Sequence, residues 1–260
     1  MNEWELLEKI AKEYRVILGD KLTGIYVHGS IAFGCFRWAC SDIDFLVIVE
    51  EPLGQLEKEA LIQTLLQLDE HAPQKGFEMS VMLRSACMPF ADPTPYELHY
   101  SNAYREKYHQ DLSGTCRRLQ GFDPDLAGHV MVVRHKGIVL CGEAIAQVFA
   151  PVPPESWLRS IWQDVRCAEE EIGQDPVYHA LNLCRTLAFV QDGLVLSKRE
   201  GGEWGMTHLA EYADVIVPVL NAYAVGAAVP DGRTLDEFAK NVLERIRNSQ
   251  VFLNAGMESN

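Results

Sequence analysis

The chain of 260 residues has no CxxC pair, no cysteine–histidine cluster and no apolar run approaching the ~18 residues that a membrane span needs. Its seven cysteines are an odd, scattered set, which excludes a zinc ribbon and reads as small core residues in a reducing setting. Repeats and low-complexity tracts are absent. Positive charge is scarce as well: 23 Lys and Arg against 37 Asp and Glu leave a formal net charge of −14. A field of that sign repels polyanions and attracts cations, so extended nucleic acid is excluded as the main partner. Metal ions and cationic small molecules fit it, and a nucleotide fits where local cations neutralise it. The opening stretch "MNEWELLEKIAKEYRVIL" is charged and amphipathic, unlike a secretory leader. The expectation is a soluble, cytoplasmic protein without a membrane partner, working as a monomer.

Apolar residues are abundant, at 48% with the aromatics, and their spacing divides the chain near "APVPPESW", Ala150 to Trp157. Upstream, strand-length apolar runs alternate with helical patterns. "LTGIYVHG" reads as a strand closed by Gly29, and "DIDFLVIVE" as a strand buried on both faces. Leu61, Leu65 and Leu68 repeat at helical spacing. "GFEMSVMLR" alternates Phe77, Met79, Val81 and Leu83 inward, with Glu78 and Ser80 on the other face. Downstream the patterns are helical throughout. One helix is predicted across "SWLRSIWQDVRCAEEEI", a second runs to a stop at Gly193, and a last one is capped by Thr234 with Glu237 as its box partner. The class is therefore α+β: residues 1–152 form a sheet with flanking helices, and residues 153–260 a helical bundle.

The chemistry concentrates in "VHGSIAFGCFRWACSDIDFLVIVE", Val27 to Glu50. Asp42 and Asp44 share one face of a strand, because side chains repeat with period two. Two carboxylates so placed repel unless a cation sits between them. Magnesium takes oxygen ligands and shares its shell with phosphates and water. A neighbouring strand can bring Glu78 to the same place, and three convergent acids with one or two metals suit in-line attack on phosphorus. Gly29 and Ser30, at a strand end before a helix, let backbone N–H groups and a hydroxyl approach phosphate oxygens. His28 reads as a core or pocket residue. No Ser-His-Asp or Cys-His arrangement can be argued from the order of residues.

This stretch resembles the motif of the nucleotidyltransferase superfamily that includes DNA polymerase β-like enzymes. More closely, "GSIAFGCFRWACSDIDFLV", "FEMSVML", "YELHYSNAYRE" and the region "DPVYHALNLCRTLAFVQDGLVLSKREGGEW" resemble the aminoglycoside adenylyltransferases that modify spectinomycin and streptomycin. The resemblance implies a nucleotidyltransferase domain over 1–152 and a helical domain over 153–260 that closes on ATP and antibiotic. It implies an enzyme moving AMP from ATP to an antibiotic hydroxyl with release of pyrophosphate. Asp42, Asp44 and Glu78 would hold Mg²⁺, two ions in all, with Glu78 also the general base at the acceptor. Gly29, Ser30 and Ser41 would meet phosphates. Arg185 and Lys198 would meet the triphosphate, Tyr223 the nucleotide, and Asp175 the aminoglycoside. Glu169, Glu170 and Glu171 could add to an acidic wall for a cationic acceptor.

Two positions depart from the family pattern, and at the first Cys35 stands for the second glycine of the family's loop. Ala103 stands where the family carries a tryptophan, so Tyr100 or Tyr104 is expected to supply an aromatic surface there. Two rival readings keep the fold. One is transfer to another small molecule or a protein; the other is a nucleotide-binding module without turnover.

Overall fold

The computed structural model describes residues 1–226, 229 and 233–257, Arg233 by its backbone alone. The chain falls into two compact units, Met1–Val152 and Pro153–Asn260. In the first unit the order is α1 (Glu3–Leu18), β1 (Leu22–Val27), α2 (Gly29–Ala32), β2 (Ile43–Val49), α3 (Gln55–Leu68), β3 (Phe77–Leu83) and α4 (Arg84–Cys87). Then come β4 (Pro95–Tyr96), β5 (Leu98–Tyr100), α5 (Arg105–Gln110), α6 (Leu112–Arg118), β6 (Gly121–Phe122), α7 (Asp125–Lys136), β7 (Ile138–Gly142) and α8 (Ile145–Val148). The second unit holds α9 (Pro154–Gln163), α10 (Ala168–Glu171), α11 (Pro176–Asp192), α12 (Lys198–His208), α13 (Ala213–Val225), α14 (Arg233–Arg247) and α15 (Gln250–Asn254).

The expected α+β unit followed by a helical unit is what the structure shows. Its main sheet runs β5-β3-β2-β1-β7 and is mixed: β2 and β3 are parallel, the other pairs antiparallel. α1 starts where Asn2 and Glu5 cap one another reciprocally, each side chain accepting the other's backbone N–H at 2.9 Å. Its Leu6, Leu7, Ile10, Tyr14 and Leu18 then recur at helical spacing and are buried. They join α3 in a core with Ile25, Val27, Phe45, Val47, Met79 and Val81 from one face of the sheet. Fully burying each such aliphatic side chain contributes about 1.5–3 kcal/mol. The opposite face, one residue out of step, carries Tyr26, His28, Asp44, Leu46, Glu78, Ser80 and His99.

All seven residues of β2 are buried, as its unbroken apolar run predicts. β3 departs from the expected clean alternation. Ser80 and Met82 are buried together with Met79 and Val81, and Leu83 is half-exposed. β2 pairs with one edge of β3 and β5 with the other, so mid-strand β3 lies inside the sheet.

In the second unit α11 begins at the Asp175 cap and Pro176, and ends at Gly193 in the left-handed region, as expected. Three glycines let α12 approach it closely: a Cβ at Gly201, Gly202 or Gly205 would lie 2.7–2.8 Å from side-chain atoms of Arg185, Leu181 and Cys184 respectively. The single helix expected from Ser156 to Ile172 is broken between α9 and α10. Val165 and Arg166 both donate to the Trp162 carbonyl, a tight turn in place of helical continuation. Thr234 does not cap α14, which has already begun at Arg233. Trp157 and Trp162 pack edge-on against Phe189 and Phe252.

Candidate active site

The site on the first unit starts from a steric requirement. At the turn from β1 into α2, Gly29 has φ +58, and a Cβ there would overlap the Asp44 carboxylate. His28 donates its N–H to the Asp44 carbonyl at 3.0 Å, so the strand end and the acid are tied together. Ser30 follows, its Oγ buried and without a hydrogen-bond partner among the described residues. The loop after α2 is closed by its own bonds: Cys35 N–H to the Ser30 carbonyl (2.9 Å), Ser41 N–H to the Arg37 carbonyl (2.8 Å), and Arg37 N–H to Ser41 Oγ (3.1 Å). Ser41, expected at a phosphate, is buried and serves this closure. The loop delivers Asp42 to the mouth of β2.

Parallel pairing then sets Asp44 directly opposite Glu78. Asp42, Asp44 and Glu78 each offer a carboxylate oxygen within 4.8 Å of the other two. Asp44 is 7% exposed, the other two half-buried. Three carboxylates so close repel one another in a partly desolvated place. An oxygen-loving divalent cation answers that repulsion. The orphaned Ser30 hydroxyl, next to the Gly29 turn that packs against Asp44, is a polar group with a bond still to make, as a phosphate oxygen would provide. The residues present therefore fit Mg²⁺ with a phosphorylated substrate.

Histidines surround Glu78, and local sequence gives no signal for two of them. His28 is buried as expected, its ring 4.7 Å from that of His129 on α7. His129 Nε2 stands 3.9 Å from Glu78 Oε1. His99 Nδ1 lies 2.9 Å from Ser80 Oγ, brought there by the antiparallel pairing of β3 with β5. Burial, with His129 beside it, holds His28 well below its usual pKa. Burial also lowers His99, against the pull of Glu78 and Asp123. For both His28 and His99 burial disfavours the charged ring.

On the second unit two of the expected residues are gathered and two are not. Arg185 donates to Asp164 Oδ2 at 2.8 Å, while Tyr178 Oη donates to Asp164 Oδ1 at 2.8 Å. Lys198 Nζ lies 4.7 Å from the Tyr178 ring centroid. Tyr178 and Arg185 are two turns apart on one stripe of α11, and Lys198 is the first residue of α12 after its Ser197 cap. Tyr223 sits half-buried near the end of α13. Asp175 caps α11, accepting the Tyr178 N–H at 3.0 Å. Glu169, Glu170 and Glu171 lie exposed on α10. Of the two tyrosines expected to replace the family tryptophan, Tyr100 is excluded: it is fully buried and stacked on Tyr108.

Comparison with known proteins adds to this geometry. Residues 7–86 match the nucleotidyltransferase domain family, and residues 147–247 match the C-terminal domain of aminoglycoside adenylyltransferase. A spectinomycin 9-adenylyltransferase of Staphylococcus aureus is 28% identical over 202 residues, 76% of this chain and 75% of the relative. An Escherichia coli aminoglycoside (3'') (9) adenylyltransferase is 25% identical over 213 residues, 79% of each. The crystal structure of a spectinomycin adenyltransferase from Enterococcus faecialis with ATP and spectinomycin superposes with a TM-score of 0.77 at 21% identity. It covers 95% of this chain and 100% of that one. At that identity the match carries the fold.

Proposed function

We infer from the two family matches and the relatives above that the chain belongs to the aminoglycoside adenylyltransferase family of nucleotidyltransferases, and from that premise we propose that it moves AMP from ATP to a hydroxyl of an aminoglycoside or aminocyclitol, releasing pyrophosphate. The observation that carries the proposal is the Asp44–Glu78 register pair completed by Asp42. Such a trio has a use where a metal and a phosphate meet.

In this reading Asp42, Asp44 and Glu78 hold Mg²⁺, two ions in all. Bound there, the metal would offset the charge of the phosphates and lower the cost of ionising the acceptor hydroxyl. Glu78 takes the proton of that hydroxyl as its oxygen bonds to the α-phosphorus and the bond to the bridging oxygen breaks. Pyrophosphate leaves with that electron pair. Gly29 gives the phosphates close access to backbone, and Ser30 offers its hydroxyl. Ser41 shapes the same loop. Arg185 and Lys198 carry positive charge that a triphosphate needs and that a chain of net charge −14 otherwise lacks. Tyr223 is assigned to the nucleotide and Asp175 to the acceptor.

The test is to incubate the protein with ATP, Mg²⁺ and a panel including spectinomycin and streptomycin, and to look for the adenylylated acceptor by mass spectrometry. An adduct on at least one acceptor, lost on chelation, is expected. No adduct across the panel would defeat the proposal.

A further inference from the structure

Next to Glu78 the sheet carries a second cluster for which the phosphate chemistry has no use. His99 faces Ser80 across the β3–β5 pair, so it shares the face of Glu78, two residues further along β3. Tyr96 and Tyr104 flank it, with ring centroids 6.1 and 5.7 Å away and planes tilted by 66° and 90°. All three rings are half-buried, while the neighbouring Tyr100 and Tyr108 are sealed in the core. Mutual edge contacts of this kind leave ring faces available at the sides. Two carboxylates act electrostatically on the same spot: the charges of Glu78 and Asp123 both favour a charged His99, and that of Asp123 disfavours ionised Tyr96. Aromatic faces beside carboxylates attract alkylammonium groups. Lys107 Nζ lies 4.9 Å over one face of Tyr104, which leaves that ring its other face.

We propose that Tyr96, His99 and Tyr104 form the wall that recognises the ammonium groups of the acceptor and sets its hydroxyl before Glu78. This takes up the surface that Ala103, exposed and small, does not supply. The inference rests on the adenylyl-transfer reading for its placement of the acceptor, and names that acceptor as a small alkylammonium-bearing polyol. Tyr96 and Tyr104 determine specificity, and His99 holds the two rings apart.

Kinetics with spectinomycin at saturating ATP test it. Tyr96→Leu and Tyr104→Leu should each raise the acceptor KM about tenfold, with the ATP KM held within about twofold. Tyr96→Phe and Tyr104→Phe keep the ring and should keep the wild-type value. An unchanged acceptor KM in both leucine variants, or an equal rise in the ATP KM, overturns the proposal. Should wild-type protein turn over no acceptor, the adenylyl-transfer reading fails, and the wall is then read by NMR with tetramethylammonium as the probe. The His99 ring signals should shift saturably in the wild-type protein and not in the Tyr96→Leu/Tyr104→Leu double variant. No saturable shift in the wild-type protein overturns it.

Discussion

Gly29 shows how closely single residues are fitted at this site. Its position combines φ +58 with a neighbour, the Asp44 carboxylate, lying where a Cβ would be. Alanine there meets two penalties at once: a backbone conformation costly for an L side chain, and displacement of an acid. Gly29→Ala should lower kcat about a hundredfold, because shifting a reacting group by about 1 Å costs on that order. Circular dichroism should show the fold retained, and turnover near the wild-type level would contradict the fitted geometry. The same scale shows what the sequence can and cannot display. Asp42, Asp44, Gly29 and Ser30 sit within sixteen residues and form a readable local pattern. His99 and His129 reach Glu78 only through strand pairing and the packing of α7, and an isolated histidine carries no mark of either.

At the scale of elements, what could be read depended on whether a partner was near in the chain. β2 was legible because burial on both faces writes an unbroken apolar run. β3 was legible in its inner row alone, since the cover over Ser80 and Met82 comes from distant segments. The break between α9 and α10 was hidden for the same reason. Its turn residue Asp164 is held by Tyr178 and Arg185, fourteen and twenty-one positions away. That tie also gives a prediction. Asp164→Ala removes an acceptor from both groups and leaves the part-buried Arg185 guanidinium without its carboxylate. It should cost about 1–3 kcal/mol in denaturant unfolding. A midpoint unchanged from the wild-type protein would mean that the ion pair is not part of what holds α9 and α11 together.

Over the whole molecule, a strong negative charge coexists with a reading that requires a polyanionic substrate. In the proposed function each unit contributes its own answer. The three acids create a demand for metal, Arg185 and Lys198 add fixed cations, and the remaining acidic surface favours a cationic acceptor. The composition and the order of elements made the α+β and helical halves readable from the start, because each half has its own hydrophobic period. The proposed acceptor wall was not readable: Tyr96, His99 and Tyr104 lie within nine residues of one another, but only the pairing of β5 with β3 puts them on the face of Glu78.

The central claim is that Asp42, Asp44 and Glu78 run a metal-dependent transfer of AMP. The most direct test is pyrophosphate release from ATP and Mg²⁺, with and without spectinomycin, streptomycin and related acceptors, in the wild-type protein beside Asp44→Asn and Glu78→Gln. Acceptor-dependent release is expected in the wild-type protein, and its loss in both variants. Release that persists in either variant, or that ignores the acceptor, would contradict it.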